Sequence, residues 1–195
     1  MTWRTVCVFC GSAAGSRPEY AAAARDFGHE LVRRGLGLVY GGGQVGLMGI
    51  VADAVLAAGG DATGVIPHAL DRLEVGHKGL TRLHRVHTMH ERKARMCALS
   101  DAFVALPGGF GTLDELCEVL TWQQLGIHNK PVGLLDVAGY FAGFRAFLDQ
   151  ARHEGFLRAQ TRAMLLEDDV PARLLDRMQA YVPPDVPRWL QAGQG

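Results

Sequence analysis

The chain has 195 residues, 48% of them hydrophobic and 21% charged, and its 20 lysines and arginines balance 20 aspartates and glutamates. That length allows one domain with a sizeable core over 1–195, and the apolar content is too high for a disordered chain. A formal net charge of zero provides neither a basic footprint for nucleic acid nor a polybasic patch for an anionic membrane, so a small ligand is the expected partner.

From the N-terminus, Met1-Thr-Trp-Arg-Thr5 leads into only five apolar residues before Gly11, too few for a signal sequence. No apolar run reaches the roughly 20 residues of a bilayer span, and the cytoplasm is the expected compartment. Apolar runs then alternate with helical patterns. Strands are predicted at Thr5–Cys10, Gly37–Tyr40, Ala62–Ile66, Leu83–His87, Ala102–Leu106, Val132–Leu135 and Ala163–Leu166. Helices are predicted at Pro18–Arg34, Leu47–Ala58, His90–Ser100, Thr112–Gly126, Tyr140–Glu154 and Pro171–Tyr181. Most of the strands are apolar throughout, as strands buried on both faces are. Strand and helix in alternation imply an α/β fold: a Rossmann-like three-layer sandwich, its mainly parallel sheet covered by helices on both faces. The core is expected over 5–181, with a tail at 182–195. Pro67–Arg82 is the least regular stretch and reads as a functional loop.

Four cysteines, at 7, 10, 97 and 117, are too few for a disulfide framework. Cys7 and Cys10 match C-x-x-C, but on a strand they face opposite sides. All four, Cys117 included, are expected to be structural.

Two glycine clusters follow predicted strands and open predicted helices, where α/β proteins bind ligands. In Tyr40-Gly-Gly-Gly-Gln-Val-Gly-Leu-Met-Gly49, Gly41, Gly43 and Gly46 satisfy G-x-G-x-x-G. The cluster follows the second strand rather than the first, and the next strand ends at Ile66-Pro67-His68 with no acidic residue for a ribose, which argues against a dinucleotide. The second cluster is Pro107-Gly-Gly-Phe-Gly-Thr-Leu-Asp-Glu115. Its glycines admit a ligand close to the backbone, and the helix it opens offers free N–H groups and a positive dipole end to a phosphate. Thr112 can cap that helix or bond the anion.

Asp114 and Glu115, about 100° apart in the predicted first turn, cannot both face a ligand, and the helix N-terminus favours the ionised carboxylate. In Met89-His-Glu-Arg-Lys-Ala-Arg-Met96, Arg92 and Arg95 share one helix face and Lys93 turns to another. Crossover topology brings Arg92 to the same sheet edge as Glu115. His84, His87 and His90 are spaced H-x-x-H-x-x-H, but part of the run is strand-like and no acidic or cysteine ligand accompanies it, so no metal is expected.

In this order and spacing, Tyr40-Gly-Gly-Gly, Gly46-Leu-Met-Gly49, Met89-His-Glu-Arg-Lys93 and Pro107-Gly-Gly-Phe-Gly-Thr-Leu-Asp-Glu115 resemble the LONELY GUY (LOG) family of cytokinin-activating phosphoribohydrolases. The likeness covers about residues 5 to 181, including Cys10-Gly-Ser12 and Thr121-Trp-Gln-Gln-Leu-Gly126. It implies hydrolysis of the N-glycosidic bond of N6-substituted adenosine 5′-monophosphates to free base and ribose 5-phosphate, by a homodimer, without cofactor or metal. Carried over by position, Arg92 and Glu115 are the catalytic pair, and Gly109, Phe110, Gly111 and Thr112 form the phosphate turn. Lys93, Glu74, Thr121, Gly42, Gly43 and Ser12 are further binding residues. Asp114 departs from the glutamate common there. Cleavage through an oxocarbenium-like state suits an ionised Glu115 beside the sugar, whereas Arg92 is too basic to donate a proton. The group that protonates the departing base stays open, as does the choice between a prenylated base and plain AMP.

A non-catalytic nucleotide or molybdenum-cofactor carrier of the same fold is the alternative, against which the presence of both Arg92 and Glu115 counts. Lysine decarboxylation, a label attached to such sequences, is disfavoured because no Schiff-base lysine stands out among Lys78, Lys93 and Lys130.

Overall fold

Thr5–Phe9 forms the central strand β1, flanked in a computed structural model by six further strands, all parallel. That structure describes residues 3–184 except Val75, and not the side chains of 72–74. The strands are β2 (Gly37–Tyr40), β3 (Ala62–Pro67), β4 (Arg82–Val86), β5 (Ala102–Ala105), β6 (Val132–Leu135) and β7 (Leu165–Asp168). Their order is β4-β3-β2-β1-β5-β6-β7. The chain therefore runs outward from β1 to one edge, returns to β5 on the other side of β1 and runs outward again. The reversal leaves a crevice at the C-terminal ends of β1 and β5, the place where such sheets bind ligands. Register brings three turns to that level, since Val8 pairs with Tyr40 of β2 and Phe9 with Ala105 of β5.

Helices α1 (Pro18–Arg33), α2 (Gly46–Ala57) and α8 (Pro171–Gln179) cover one face of the sheet. On the other lie α4 (Met89–Ala98), α5 (Phe110–Gln124) and α6 (Ala142–His153). Alternation along β1 feeds both layers: Val6, Val8 and Cys10 join the first core, Cys7 and Phe9 the second. The two cysteines thus face opposite sides, as strand geometry requires. No helix among the described residues is long and apolar enough to cross a membrane.

Several local expectations are corrected. Residues 67–82 are not loop throughout, because α3 (His68–Glu74) follows β3 directly. β7 begins at Leu165 rather than Ala163, behind a short α7 (Ala159–Arg162). Arg162 ties that turn to Asp149 of α6 at 2.9 Å and to Glu167 at 2.7 Å, tertiary pairs that local apolar patterning does not register. Helix α5 opens at Phe110, with Gly109 as N-cap accepting from the Leu113 N–H at 3.1 Å. Thr112 is therefore inside the helix and does not cap it. Cys117 is exposed rather than core, because two residues beyond the buried Glu115 the helix has turned by about 200°.

Candidate active site

The β1–α1 turn is the hub of the crevice. Gly11 donates its N–H to the Pro107 carbonyl at 3.0 Å, and its own carbonyl accepts from the Leu47 N–H at 3.0 Å. The turns after β1, β2 and β5 are thereby joined by backbone bonds alone. Gly46, the first residue of α2, has φ +61°, and a Cβ there would run into the Ser12 carbonyl. A side chain at this position would meet both the left-handed backbone penalty and a steric one. Ser12 itself is exposed beside this contact. Gly42 accepts from the His77 N–H at 3.0 Å and Gly43 bridges to Gly76, so the segment after α3 is stitched to the first glycine cluster. His77, which sequence reasoning missed, is buried there with its Nε2 3.0 Å from Asp53 Oδ1 and its Nδ1 accepting from Gly79 N–H. Glu74 ends α3, and its side chain lies outside the described residues.

Helix α4 is started by Thr88, whose hydroxyl accepts from Glu91 N–H at 3.1 Å while the Glu91 carboxylate accepts from His87 N–H at 2.8 Å, close to a capping box. This start directs Arg92 across the sheet edge. Its Nε donates to the Val65 carbonyl at 3.1 Å and a terminal nitrogen reaches the Gly41 carbonyl at 3.4 Å. A Cβ on Gly41 would occupy the place of that guanidinium. The other terminal nitrogen lies 3.7 Å from Glu115 Oε1. This is an ion pair rather than a hydrogen bond, and it leaves room for both groups to engage a third partner. Met89, 42% exposed, flanks Arg92.

Glu115 is 9% exposed. Burial pushes its carboxyl above the ordinary carboxylate range against the pull of Arg92; Asp114 and Glu118 add to the rise and Lys93 opposes it. This corrects the expectation of a carboxylate held ionised by the helix dipole. With α5 opening at Phe110, Glu115 is in the second turn, where the dipole has faded and desolvation dominates. Asp114 faces solvent, as the 100° offset requires, and holds Lys93 at 2.8 Å, with Glu118 a second partner at 3.4 Å. Lys93 thus joins α4 to α5. Burial would lower its pKa, but the two carboxylates raise it overall.

The first turn of α5 is open. Gly109, Phe110 and Gly111 are exposed, and no atom lies within 4 Å of a Cβ built on Gly109 or Gly111. The N–H groups opening a helix have no intrahelical acceptor. Thr112 is buried with its hydroxyl against Gly108. The Gly108 carbonyl accepts from the Tyr140 hydroxyl at 2.6 Å, a contact unforeseen from sequence, although Gly139-Tyr140 follows β6 at the same sheet edge. Thr121 is not brought to this cluster. It lies on an exposed part of α5, about 120° round from Glu115, and its hydroxyl donates to Cys117 O at 2.7 Å. Among the described residues no group of His, Cys, Asp or Glu could hold a metal ion.

A cavity of about 750 Å³ at the β6–β7 edge is lined by Asp136, Arg145, Arg162, Glu167 and Asp168 among others. Its carboxylates already hold arginines: Glu167 is 2.7 Å from Arg162, Asp136 is 3.3 Å from Arg145 and Asp168 is 2.9 Å from Arg173. It is a knot of ion pairs rather than a reactive site.

Fold and site together define a three-layer α/β protein with an open glycine turn at a helix N-terminus beside a largely buried guanidinium–carboxylate pair. Residues 48–178 match the family model described as "Possible lysine decarboxylase". The chain is 49% identical over 181 residues to the cytokinin riboside 5′-monophosphate phosphoribohydrolase LOG of Oryza sativa subsp. japonica, covering 93% of this chain and 75% of that one. It is 47% identical over 181 residues to a cytokinin riboside 5′-monophosphate phosphoribohydrolase of Arabidopsis thaliana, covering 93% and 85%. Among solved structures, it is similar to the molybdenum cofactor binding protein from Rippkaea orientalis (TM-score 0.70, 18% identity, 92% of this chain and 98% of that one). It is also similar to the molybdenum cofactor carrier protein from Chlamydomonas reinhardtii (TM-score 0.69, 18% identity, 92% and 100%), and at such identities the likeness concerns the fold alone. The chain belongs to the LOG family of cytokinin riboside 5′-monophosphate phosphoribohydrolases.

Proposed function

We propose that the protein hydrolyses the N-glycosidic bond of N6-substituted adenosine 5′-monophosphates, releasing the free base and ribose 5-phosphate. The observation that carries this reading is the Arg92–Glu115 pair, 3.7 Å apart and nearly buried, at the foot of the helix whose first turn is open to a phosphate. The 5′-phosphate sits on the N–H groups of Gly109 to Thr112 and brings the ribose to Glu115. As the bond from ribose C1′ to the base nitrogen breaks, its electron pair leaves with the base and positive charge grows on the sugar, which the Glu115 carboxylate stabilises. Water adds at C1′, Glu115 accepts its proton, and that proton passes on to the departing base nitrogen, which completes the free base and restores the Glu115 carboxylate. A carboxyl lifted toward the working pH is the better general base. Arg92, anchored on two backbone carbonyls, orients the substrate and keeps Glu115 ionised.

In this reading the exposed Ser12 and the backbone of Gly42 and Gly43 contribute to binding, with Glu74 on the segment stitched to that glycine cluster. Lys93 acts through the α4–α5 seam. The exposed Thr121 faces away from the site of its own chain, which fits a homodimer, here read as cytoplasmic, in which a second copy covers that side of α5, whereas Trp122 lies on the Glu115 side of the helix. The unit is read as one nucleotide-binding domain over about residues 5–181; of the tail at 182–195, residues 185–195 lie outside the described residues. None of the three lysines suits a Schiff base in this crevice: Lys93 is held by Asp114 and Glu118, Lys130 donates to the Cys97 carbonyl at 2.7 Å, and Lys78 is an exposed residue of the segment after α3.

The test is chromatography of the protein incubated with AMP, isopentenyl-AMP and adenosine, beside Glu115→Gln and Arg92→Ala. The expected result is base release from the monophosphates but not from adenosine, lost in both variants. Binding of nucleotide without any release of base would sink the enzyme reading and leave a carrier.

A further inference from the structure

We propose that Tyr140 is a positioning residue for this reaction: its hydroxyl clamps the glycine turn that receives the 5′-phosphate, and so sets affinity for the monophosphate rather than the rate of bond cleavage. The proposal rests on the phosphate-turn reading above.

Pro107 and Gly108 present successive carbonyls with different anchors. The Pro107 carbonyl is held by the Gly11 N–H at 3.0 Å, within the backbone hub of the crevice. The Gly108 carbonyl is held by the Tyr140 hydroxyl at 2.6 Å. Gly108 and Gly109 lack side chains, so the peptide between them would otherwise turn easily. That peptide is planar and trans, so its C=O and N–H point in opposite directions. Fixing the Gly108 carbonyl therefore fixes the Gly109 N–H, the first donor of the open turn. Thr112, packed on Gly108 from within α5, holds the turn from another side but leaves that carbonyl unbonded.

The clamp is itself held in place. The Tyr140 ring meets Tyr20 of α1 edge-on, centroids 5.5 Å apart at 77°, and Phe141 at 4.9 Å and 87°. The Asp136 carboxylate at the end of β6 accepts from the Phe141 N–H at 2.8 Å. Between them the chain winds through two successive left-handed residues, Ala138 at φ 53° and Gly139 at φ 72°. Ala138 is the one non-glycine residue with positive φ among the described residues. An alanine is not the residue of choice for that conformation, and strain of this kind persists where surrounding contacts over-determine it. Its effect here is to deliver Tyr140 to the Gly108 carbonyl.

The test compares Tyr140→Phe, which removes only the hydroxyl, with Tyr140→Leu, which removes the ring as well. Tyr140→Phe should raise KM for isopentenyl-AMP and the inhibition constant of inorganic phosphate in parallel, each about fivefold, the size expected for one neutral hydrogen bond. Its kcat should stay within about twofold and its melting temperature should fall by no more than a few degrees. Tyr140→Leu should show the same rise in KM with a lower melting temperature. Wild-type KM and phosphate inhibition in Tyr140→Phe would overturn the proposal, as would a fall in kcat at unchanged KM. Direct calorimetric titration with inorganic phosphate separates this from the proposed function. If the wild type releases no base, phosphate binding about fivefold weaker in Tyr140→Phe still upholds the clamp, and equal binding overturns it.

Discussion

The two glycine clusters look alike in sequence, each following a strand and opening a helix, yet the fold uses them in opposite ways. In the first, the space beside the glycines is filled by the protein itself: the Arg92 guanidinium lies against Gly41 and the Ser12 carbonyl against Gly46. In the second, Gly109 and Gly111 border open space, and only Gly108 is pressed by neighbours. Glycine thus serves close self-packing in one turn and access for a ligand in the other. The contrast separates substitutions that should cost stability from those that should cost substrate affinity.

The largest effect is expected where the two clusters meet, at Glu115. Replacing it with Gln should lower kcat by about 10³-fold, within the range for a lost general base or charge stabiliser. The same variant should melt no lower than wild type at neutral pH, and above it if anything. The sign follows from linkage: a carboxyl whose folded pKa is raised favours folding when protonated, and that contribution is lost as pH rises through the folded pKa. Glutamine mimics the protonated form at every pH. A variant that loses activity together with its fold would remove the argument that Glu115 is kept for chemistry at a cost in stability.

Next comes the inward-facing cluster. Gly46→Ala places a Cβ on a residue at φ +61° and against the Ser12 backbone. It should destabilise by about 3 kcal/mol, combining left-handed strain with overpacking, and lower the melting temperature by roughly 6–12 °C. Thermal denaturation decides it, and an unchanged melting temperature would mean that the three turns are not locked together as described.

Much of this is legible in the sequence. Seven apolar runs in alternation with helical patterns define a parallel sheet, and crossover handedness then forces the start of α4 and the start of α5 to one edge, which is why Arg92 and Glu115 could be paired from sequence. What was not legible depends on a few residues of helical phase or on contacts distant in sequence. Starting α5 at Thr112 instead of Phe110 put Glu115 in the first turn and gave the dipole a role that burial takes. The same phase carries Cys117 and Thr121 outward. The inward packing of Gly41 depends on an arginine 51 residues away, and the ion pairs of Arg162 that shape α7 span 13 residues to Asp149. Glycine spacing alone cannot tell a turn filled by its own protein from one left open.

A smaller effect is expected in the outward-facing cluster. Gly109→Ala meets no neighbouring atom within 4 Å, and the Gly109 φ of −94° lies outside the left-handed region. Melting should therefore stay within about a degree or two of wild type, since exposed substitutions away from special features rarely exceed about 0.5 kcal/mol. The methyl group would nevertheless stand where a phosphate oxygen approaches, so KM for the monophosphate should rise about tenfold, which steady-state kinetics would show. Set beside Gly46→Ala, this is the direct test of the contrast: one alanine should cost stability, the other affinity. Reversal of the two results would mean that the clusters have been assigned the wrong way round.

The smallest effect concerns Asp114, the exposed neighbour of Glu115. Its pair with Lys93 is partly solvated, 60% exposed on the carboxylate side, so Asp114→Asn should change stability by less than about 1 kcal/mol and kcat near neutral pH by less than about twofold. Its charge nevertheless adds to the rise of the Glu115 carboxyl. Activity that needs ionised Glu115 declines as pH falls through its pKa, giving an acid limb above the ordinary carboxylate range. Removing the Asp114 charge weakens the repulsion, eases ionisation and should move that limb toward lower pH, while Lys93 remains cationic beside it. A limb that stays in place, or moves upward, would show that Asp114 is screened from Glu115 by solvent and that burial and Arg92 alone set its ionisation.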